Sequence, residues 1–96
     1  MDSKTNQRPR IEIRFCPACR WWLRSGWLAQ EIFATFGDTI GEVALISAES
    51  GHFSIWVDGQ LIWERVADHG FPEAKELKQR IRDVAFPQKD LGHSDK

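Results

Sequence analysis

From Arg10 to Phe15 apolar and charged residues alternate one for one, with Ile11, Ile13 and Phe15 set between Arg10, Glu12 and Arg14. Successive side chains of a strand point to opposite faces, so this period predicts a strand with one buried and one wet face. The period then lengthens. Trp22, Leu23, Leu28, Ile32, Phe33 and Phe36 recur at roughly helical spacing, which predicts a helix from about Ala18 to Phe36, interrupted mildly by Gly26 and stopped by Gly37 and Asp38. Residues 42–50, EVALISAES, read as a second strand, more continuously apolar than the first. Strand, long helix and strand make a βαβ unit, whose crossover should be right-handed and whose strands should be parallel.

Downstream, HFSIWV and QLIWERV flank Asp58-Gly59, a pair that suits a two-residue hairpin because both turn positions need positive φ. That turn sets Val57 against Gln60, Trp56 against Leu61, Ile55 against Ile62 and Ser54 against Trp63. Opposed residues share a face. Phe53, Ile55, Val57 and Ile62 are therefore expected under the helices, and Trp56, Leu61 and Trp63 on the uncovered side. An exposed face of that kind is a candidate partner surface, including for a homodimer through the open sheet face, unless a loop or the N-terminal tail covers it. Phe71, Ala74, Leu77, Ile81 and Val84 then form a helical stripe from about Pro72 to Phe86. Pro72 fits the first turn, Glu76 and Arg80 form an i, i+4 pair, and Pro87 ends the helix. Residues 1–9 and 87–96 read as flexible tails around one domain at 10–86. The order β-α-β-β-β-α predicts an α/β two-layer sandwich, with a four-stranded mixed sheet and two helices on one face. This is the minimal thioredoxin-like plan.

Composition narrows the function classes. Ninety-six residues fit one domain with a single modest core. A net charge of −1 argues for neither nucleic acid nor a membrane surface as partner. The polar start, MDSKTNQRPR, has no apolar signal core, and no apolar run approaches the roughly 20 residues of a membrane span. A cytoplasmic location is expected, and in that reducing setting the two cysteines are better suited to redox chemistry or metal binding than to a structural staple.

Both cysteines fall in FCPACRWW, where the first strand is expected to turn into the helix. A helix start leaves backbone N–H groups unpaired, and these and the helix dipole stabilise a thiolate at the first cysteine. Cys19 then lies close enough to Cys16 to form or resolve a disulfide. Pro17 presets the backbone and stiffens the Pro17-Ala18 spacer. Arg20, with Arg24 one turn on, adds positive potential, and Trp21 or Trp22 is expected to shape the approach to the sulfurs. Competing readings are a zinc site and two inert buried thiols. Zinc needs four ligands, and beyond the two cysteines the chain offers only His52, His69 and His93, none at a second knuckle's spacing. The histidines read as surface residues.

Three stretches carry a family resemblance. IEIRFCPAC, SGHFSIWVDGQLIWER and GFPEAKELKQRIRD together resemble the selenoprotein W/T/H (Rdx) family, specifically its small bacterial-type selenoprotein W-like members, over most of residues 10–86. The resemblance implies a thioredoxin-like fold and a thiol-based redox role with links to glutathione and antioxidant defence; no cofactor is expected. It aligns Cys19 with the selenocysteine of family members and Cys16 with their preceding cysteine. Sulfur replaces selenium here, so weaker activity or a different partner is expected. The helix-start argument favours Cys16 as the attacking thiol, whereas the position of selenium favours Cys19. True thioredoxins also place a cis-proline before the third strand. The matching AESGHF has none, and Gly51 stands where close backbone approach to a substrate would be needed. The expected function is thiol–disulfide cycling of Cys16 and Cys19 with a redox partner protein or glutathione. The alternative is a non-catalytic binding module that uses the tryptophan face, with the thiols as a redox sensor.

Overall fold

A computed structural model describes residues 8–95. It contains β1 (Arg10–Phe15), α1 (Trp22–Phe36), β2 (Glu42–Ser47), β3 (Phe53–Val57), β4 (Gln60–Glu64) and α2 (Ala74–Ala85), with short 3-10 turns at Gly37–Thr39 and Gly92–Asp95. The sheet order is β2-β1-β3-β4. β1 runs parallel to β2 and antiparallel to β3, and β3 and β4 form the antiparallel hairpin. α1 packs on β1 and β2, α2 packs on β3, and the two helices touch. One core lies between sheet and helices, built from Ile11, Ile13, Phe15, Phe53, Ile55 and Val57 below and Leu28, Ile32, Phe36, Leu77 and Ile81 above. None of the helices among the described residues is long and apolar enough to cross a membrane.

The alternation in β1 does what its period requires: Ile11, Ile13 and Phe15 are buried, and Arg10, Glu12 and Arg14 are not. On the open face Arg10 and Arg14 both bond the Glu12 carboxylate, and Arg10 also pairs with Glu42. The Arg14 hydrogen bond, aided by Arg10, holds the Glu12 carboxyl below its usual range despite some desolvation. The hairpin turns at Asp58 and Gly59, with φ of 49° and 83°. Asp58 ties this turn to the start of β1, its backbone N–H donating to Arg10 O and its carboxylate accepting from Arg10 N, both at 2.8 Å.

Three expectations are corrected. First, α1 starts at Trp22, and residues 17–21 form turns rather than a helical first turn. Arg20 in that segment takes a left-handed φ of 64°, which a helix does not accept. Its buried stripe is Ser25, Leu28, Ile32 and Phe36, so Trp22, Leu23 and Phe33 stay outside. Second, Trp63 belongs to the core. The β3–β4 register shifts between Ile55 and Trp56, so that Trp63 faces Ile55 and Glu64 faces Ser54 while Trp56 still faces Leu61. Ile62 is the extra residue of this bulge, and a bulge lets two neighbours turn to the same side. Ile62 and Trp63 are both buried, Trp63 to 4% exposure. The Trp63 indole N–H donates to Gly70 O at 2.9 Å, and the Arg80 guanidinium lies 4.3 Å from its ring. Of the expected open-face trio, only Trp56 and Leu61 remain there. Third, the segment after Pro87, expected to fray, turns back onto α2. Asp95 accepts from both terminal nitrogens of Arg82 and from Leu91 N. The expected N-terminal tail lies outside the described residues except for Arg8 and Pro9.

Truncating Trp63 to Ala removes a packed indole from the core and should cost about 3–5 kcal/mol. Leu61→Ala, on the solvent side of the same strand, should cost well under 1 kcal/mol, on the order of a surface change. Denaturant midpoints of the two variants check the bulged register. The Arg82 hydrogen bonds lower the Asp95 carboxyl to about 2. A carboxylate with a lowered folded pKa contributes fully above its unfolded value, near 4, and loses that contribution as pH falls through its folded one. The C-terminal turn should therefore hold at pH 5 and release on the order of pH 2, read from the NMR shifts of Leu91 and Asp95.

Candidate functional site

β1 sits in the middle of the sheet, and Cys16 is the first residue past its end. Phe15 is paired across to Phe53, so the chain enters the motif from inside the core. Cys16 is fully buried, whereas Cys19 is half-buried and Pro17 and Ala18 are exposed. A turn closes the loop, with Arg20 N donating to Pro17 O at 3.0 Å. The Cys16 and Cys19 sulfurs are joined in a disulfide, with Cα atoms 5.4 Å apart, inside the range a disulfide requires.

The donor that faces the Cys16 sulfur is the Cys19 backbone N–H, at 3.2 Å. The expected source was the first turn of the helix, but that turn begins three residues beyond Cys19. Stabilisation of sulfur charge at Cys16 therefore comes from a peptide within the motif itself. Trp21 precedes α1, and its carbonyl accepts from both the backbone N–H and the hydroxyl of Ser25, at 2.9 and 2.8 Å. That double bond fastens the motif turn to the helix. Ser25 is fully buried and has a partner there, which accounts for a serine in the core stripe.

Of the two adjacent tryptophans, Trp21 packs inward. Its ring meets Phe71 edge-on at 4.9 Å, and Phe71 meets Phe53 edge-on at 4.9 Å. Phe15, Phe53, Phe71 and Trp21 thus form a continuous aromatic support from the strand before the cysteines to the residue after them. Two cations cover its outer rings. The Arg24 guanidinium lies 4.3 Å from the Phe71 ring, and that of Arg65 lies 5.2 Å from the Trp21 ring. Arg65 also donates to Gly51 O at 3.3 Å, which brings the β2–β3 loop to this side. Gly51 has φ 78°, so a side chain there would be strained, and no cis peptide bond occurs among the described residues. The Arg20 side chain is exposed and engages no carboxylate among the described residues, and Trp22 faces solvent on the other flank of α1. Phe71 and Arg65 were not singled out as site residues from sequence. They lie 52 and 46 positions from Cys19, and no spacing rule connects them.

On the open face, Trp56 lies under the Arg14 guanidinium at 4.4 Å and donates to Ser54 Oγ at 2.8 Å. The same hydroxyl lies 2.7 Å from His52 Nε2, and His52 Nδ1 lies 3.6 Å from Glu49 Oε1. Glu, His and Ser follow one another here, but Ser54 is fully buried and shared with Trp56, so the chain of contacts serves packing rather than nucleophilic attack. Among the described residues, no group of three or more His, Cys, Asp or Glu side chains is arranged to hold a metal ion.

In the reduced protein, the burial difference should make Cys19 the faster thiol towards iodoacetamide by about tenfold or more. Cys16 should become fully reactive only on unfolding. Peptide mass spectrometry after timed alkylation checks this, and equal rates would contradict the burial of Cys16.

The Rdx family model matches residues 10–83. Two solved structures are similar along nearly their whole length. A selenoprotein W-related protein from Vibrio cholerae is 49% identical, with a TM-score of 0.80, over 82% of this chain and 99% of that one. A crystal structure from Bordetella parapertussis is 52% identical, with a TM-score of 0.79, over 80% of this chain and 98% of that one. No curated protein sequence matches the chain. With its thioredoxin-like arrangement of four strands and two helices, and with the Cys16–Cys19 pair at the end of β1, the chain belongs to the Rdx family.

Proposed function

We propose that this chain is a thiol–disulfide exchange protein in which Cys19 meets the substrate and Cys16 resolves it. One observation carries the reading: the Cys16 sulfur is fully buried and accepts the Cys19 N–H, while Cys19 is reachable from solvent. This reverses the expectation that Cys16 attacks first. The expectation rested on helix N–H groups at Cys16, and the helix starts too late to supply them.

The cycle balances as follows. The Cys19 thiolate attacks one sulfur of a substrate disulfide, a Cys19–substrate disulfide forms, and the other substrate sulfur leaves as a thiolate. The Cys16 thiolate then attacks the Cys19 sulfur. The substrate's second thiolate leaves, and the internal disulfide forms, so two electrons pass to the substrate. An external thiol of a reductant attacks the accessible Cys19 sulfur, forms a Cys19–reductant disulfide and expels Cys16 as a thiolate; a second reductant thiol then attacks that mixed disulfide at the reductant's sulfur, frees Cys19 as a thiolate and leaves the reductant as a disulfide. Exchange is faster when the leaving thiol is more acidic. The N–H bond to Cys16 lowers the cost of that thiolate, so the buried cysteine is suited to leave and the accessible one to be attacked. The aromatic support under the motif keeps both sulfurs within disulfide reach, which favours resolution over a lasting mixed disulfide. Glutathione and a thioredoxin-type protein are the reductants this chemistry suits.

Thiol trapping across graded glutathione buffers should show one two-electron transition between roughly −180 and −300 mV, the range of cellular exchange proteins. Cys16→Ser should accumulate a mixed disulfide through Cys19 when given oxidised glutathione, and Cys19→Ser should accumulate little. Thiols that stay reduced across the whole range would overturn exchange altogether. A transition with the reverse trapping pattern would overturn only the assignment of roles.

A further inference from the structure

The sequence of β2, VALI at residues 43–46, has the continuous apolar run of a strand covered on both faces. In the structure β2 is an edge strand and none of its six residues is buried. Ala48 N donates to Phe15 O, so the even-numbered residues of this strand turn their backbone groups to β1. The N–H and C=O groups of Val43, Leu45 and Ser47 then point outward from the sheet. Edge strands are commonly blunted by Lys, Pro or a bulge, and β2 has none of these. The opposite edge is protected: β4 carries the bulge, and Arg80 donates to Ile62 O at 2.8 Å.

α1 continues the same surface. Its core stripe is Ser25, Leu28, Ile32 and Phe36, and Glu31 reaches Lys78 of α2 at 2.9 Å. The flank away from α2, over the β2 edge, carries Trp22, Gly26, Ala29 and Phe33, spaced i, i+4, i+7 and i+11. Space beside Gly26 is open. On this side Trp22, Phe33 and Leu45 each leave between 44% and 48% of their surface to solvent, whereas Leu23 and Trp27 turn away from the sheet.

We propose that this face binds a second copy of the chain, with β2 pairing antiparallel to the partner's β2 about a two-fold axis and the two α1 helices packing side by side. Two features select a second copy as the occupant. The helix stripe reads large, small, small, large, so an antiparallel copy sets Trp22 against the partner's Phe33 and Gly26 against the partner's Ala29. Small residues at the centre admit close approach of the helices, and the large ones close the ends. The spacing also fits. Strands about 4.8 Å apart place two helices, each lying over its own β1–β2 pair, about 10 Å apart, near the 8–10 Å of packed helices. Residues 1–7, MDSKTNQ, offer no matching apolar stripe. Antiparallel pairing sends the two β1 strands in opposite directions, so the two cysteine pairs lie at opposite ends of an eight-stranded sheet and stay open to substrate.

Sedimentation equilibrium of the full chain at about 10–500 μM should give twice the chain mass of 11.1 kDa. Leu45→Lys and Phe33→Glu should each halve that mass, and Leu61→Lys, on the open face, should leave it unchanged. Should a variant unfold, hydrogen exchange of the unaltered chain decides: protection of the Val43, Leu45 and Ser47 amides should rise with concentration. A single-chain mass throughout, protection independent of concentration, or a dimer that survives both substitutions and yields to Leu61→Lys would each overturn the proposal.

Discussion

The placement of β1 between β2 and β3 is the constraint from which the rest follows. A strand paired on both sides has no freedom at its end, so the residue that follows it inherits the depth of the core. Ile11, Ile13 and Phe15 bury one face of this strand, and Cys16 continues directly from it. The polypeptide must then climb to the surface before α1 can begin. It does so through Pro17, Ala18 and Cys19, with a left-handed residue at Arg20. Inequality of the two cysteines is a product of that climb, with one thiol at the bottom and one near the top.

Support for the motif comes from aromatic packing contributed by four separated segments. Phe15 pairs across the sheet with Phe53, and Phe53, Phe71 and Trp21 meet in turn edge-to-face, a geometry worth about 0.5–1.5 kcal/mol beyond burial. Arg24 and Arg65 lie on the outer rings and leave positive charge on the side where Trp21 and Gly51 meet solvent. The motif thus stands on a packed aromatic base, which suits the proposed exchange by keeping the two sulfurs within reach of each other.

The two sheet edges contrast for a physical reason. β4 gives up its regular register to a bulge, gains Trp63 for the core and accepts Arg80 on a carbonyl. β2 keeps a regular register, an apolar sequence and open backbone groups. Such an edge is a liability for an isolated chain and an asset for one that pairs.

Much of this was legible in the order of residues. The alternation of Arg10–Phe15, the Asp58-Gly59 turn and the Leu77–Ile81 stripe fix their elements because periodicity reports burial directly, and Cys16 and Cys19 identify the chemistry because few roles need two thiols at that spacing. Trp63 was misplaced because simple alternation cannot see a bulge, which one extra residue in a strand is enough to create. Trp22 and Phe33 share the helical spacing of the buried residues, but spacing does not say which side of that helix the sheet lies on. The depth of Cys16, the start of α1 at Trp22, and the meeting of Trp21 with Phe71 depend on contacts between segments tens of residues apart. Local pattern carries no record of those contacts, so only the packed tertiary structure decided which cysteine faces the solvent.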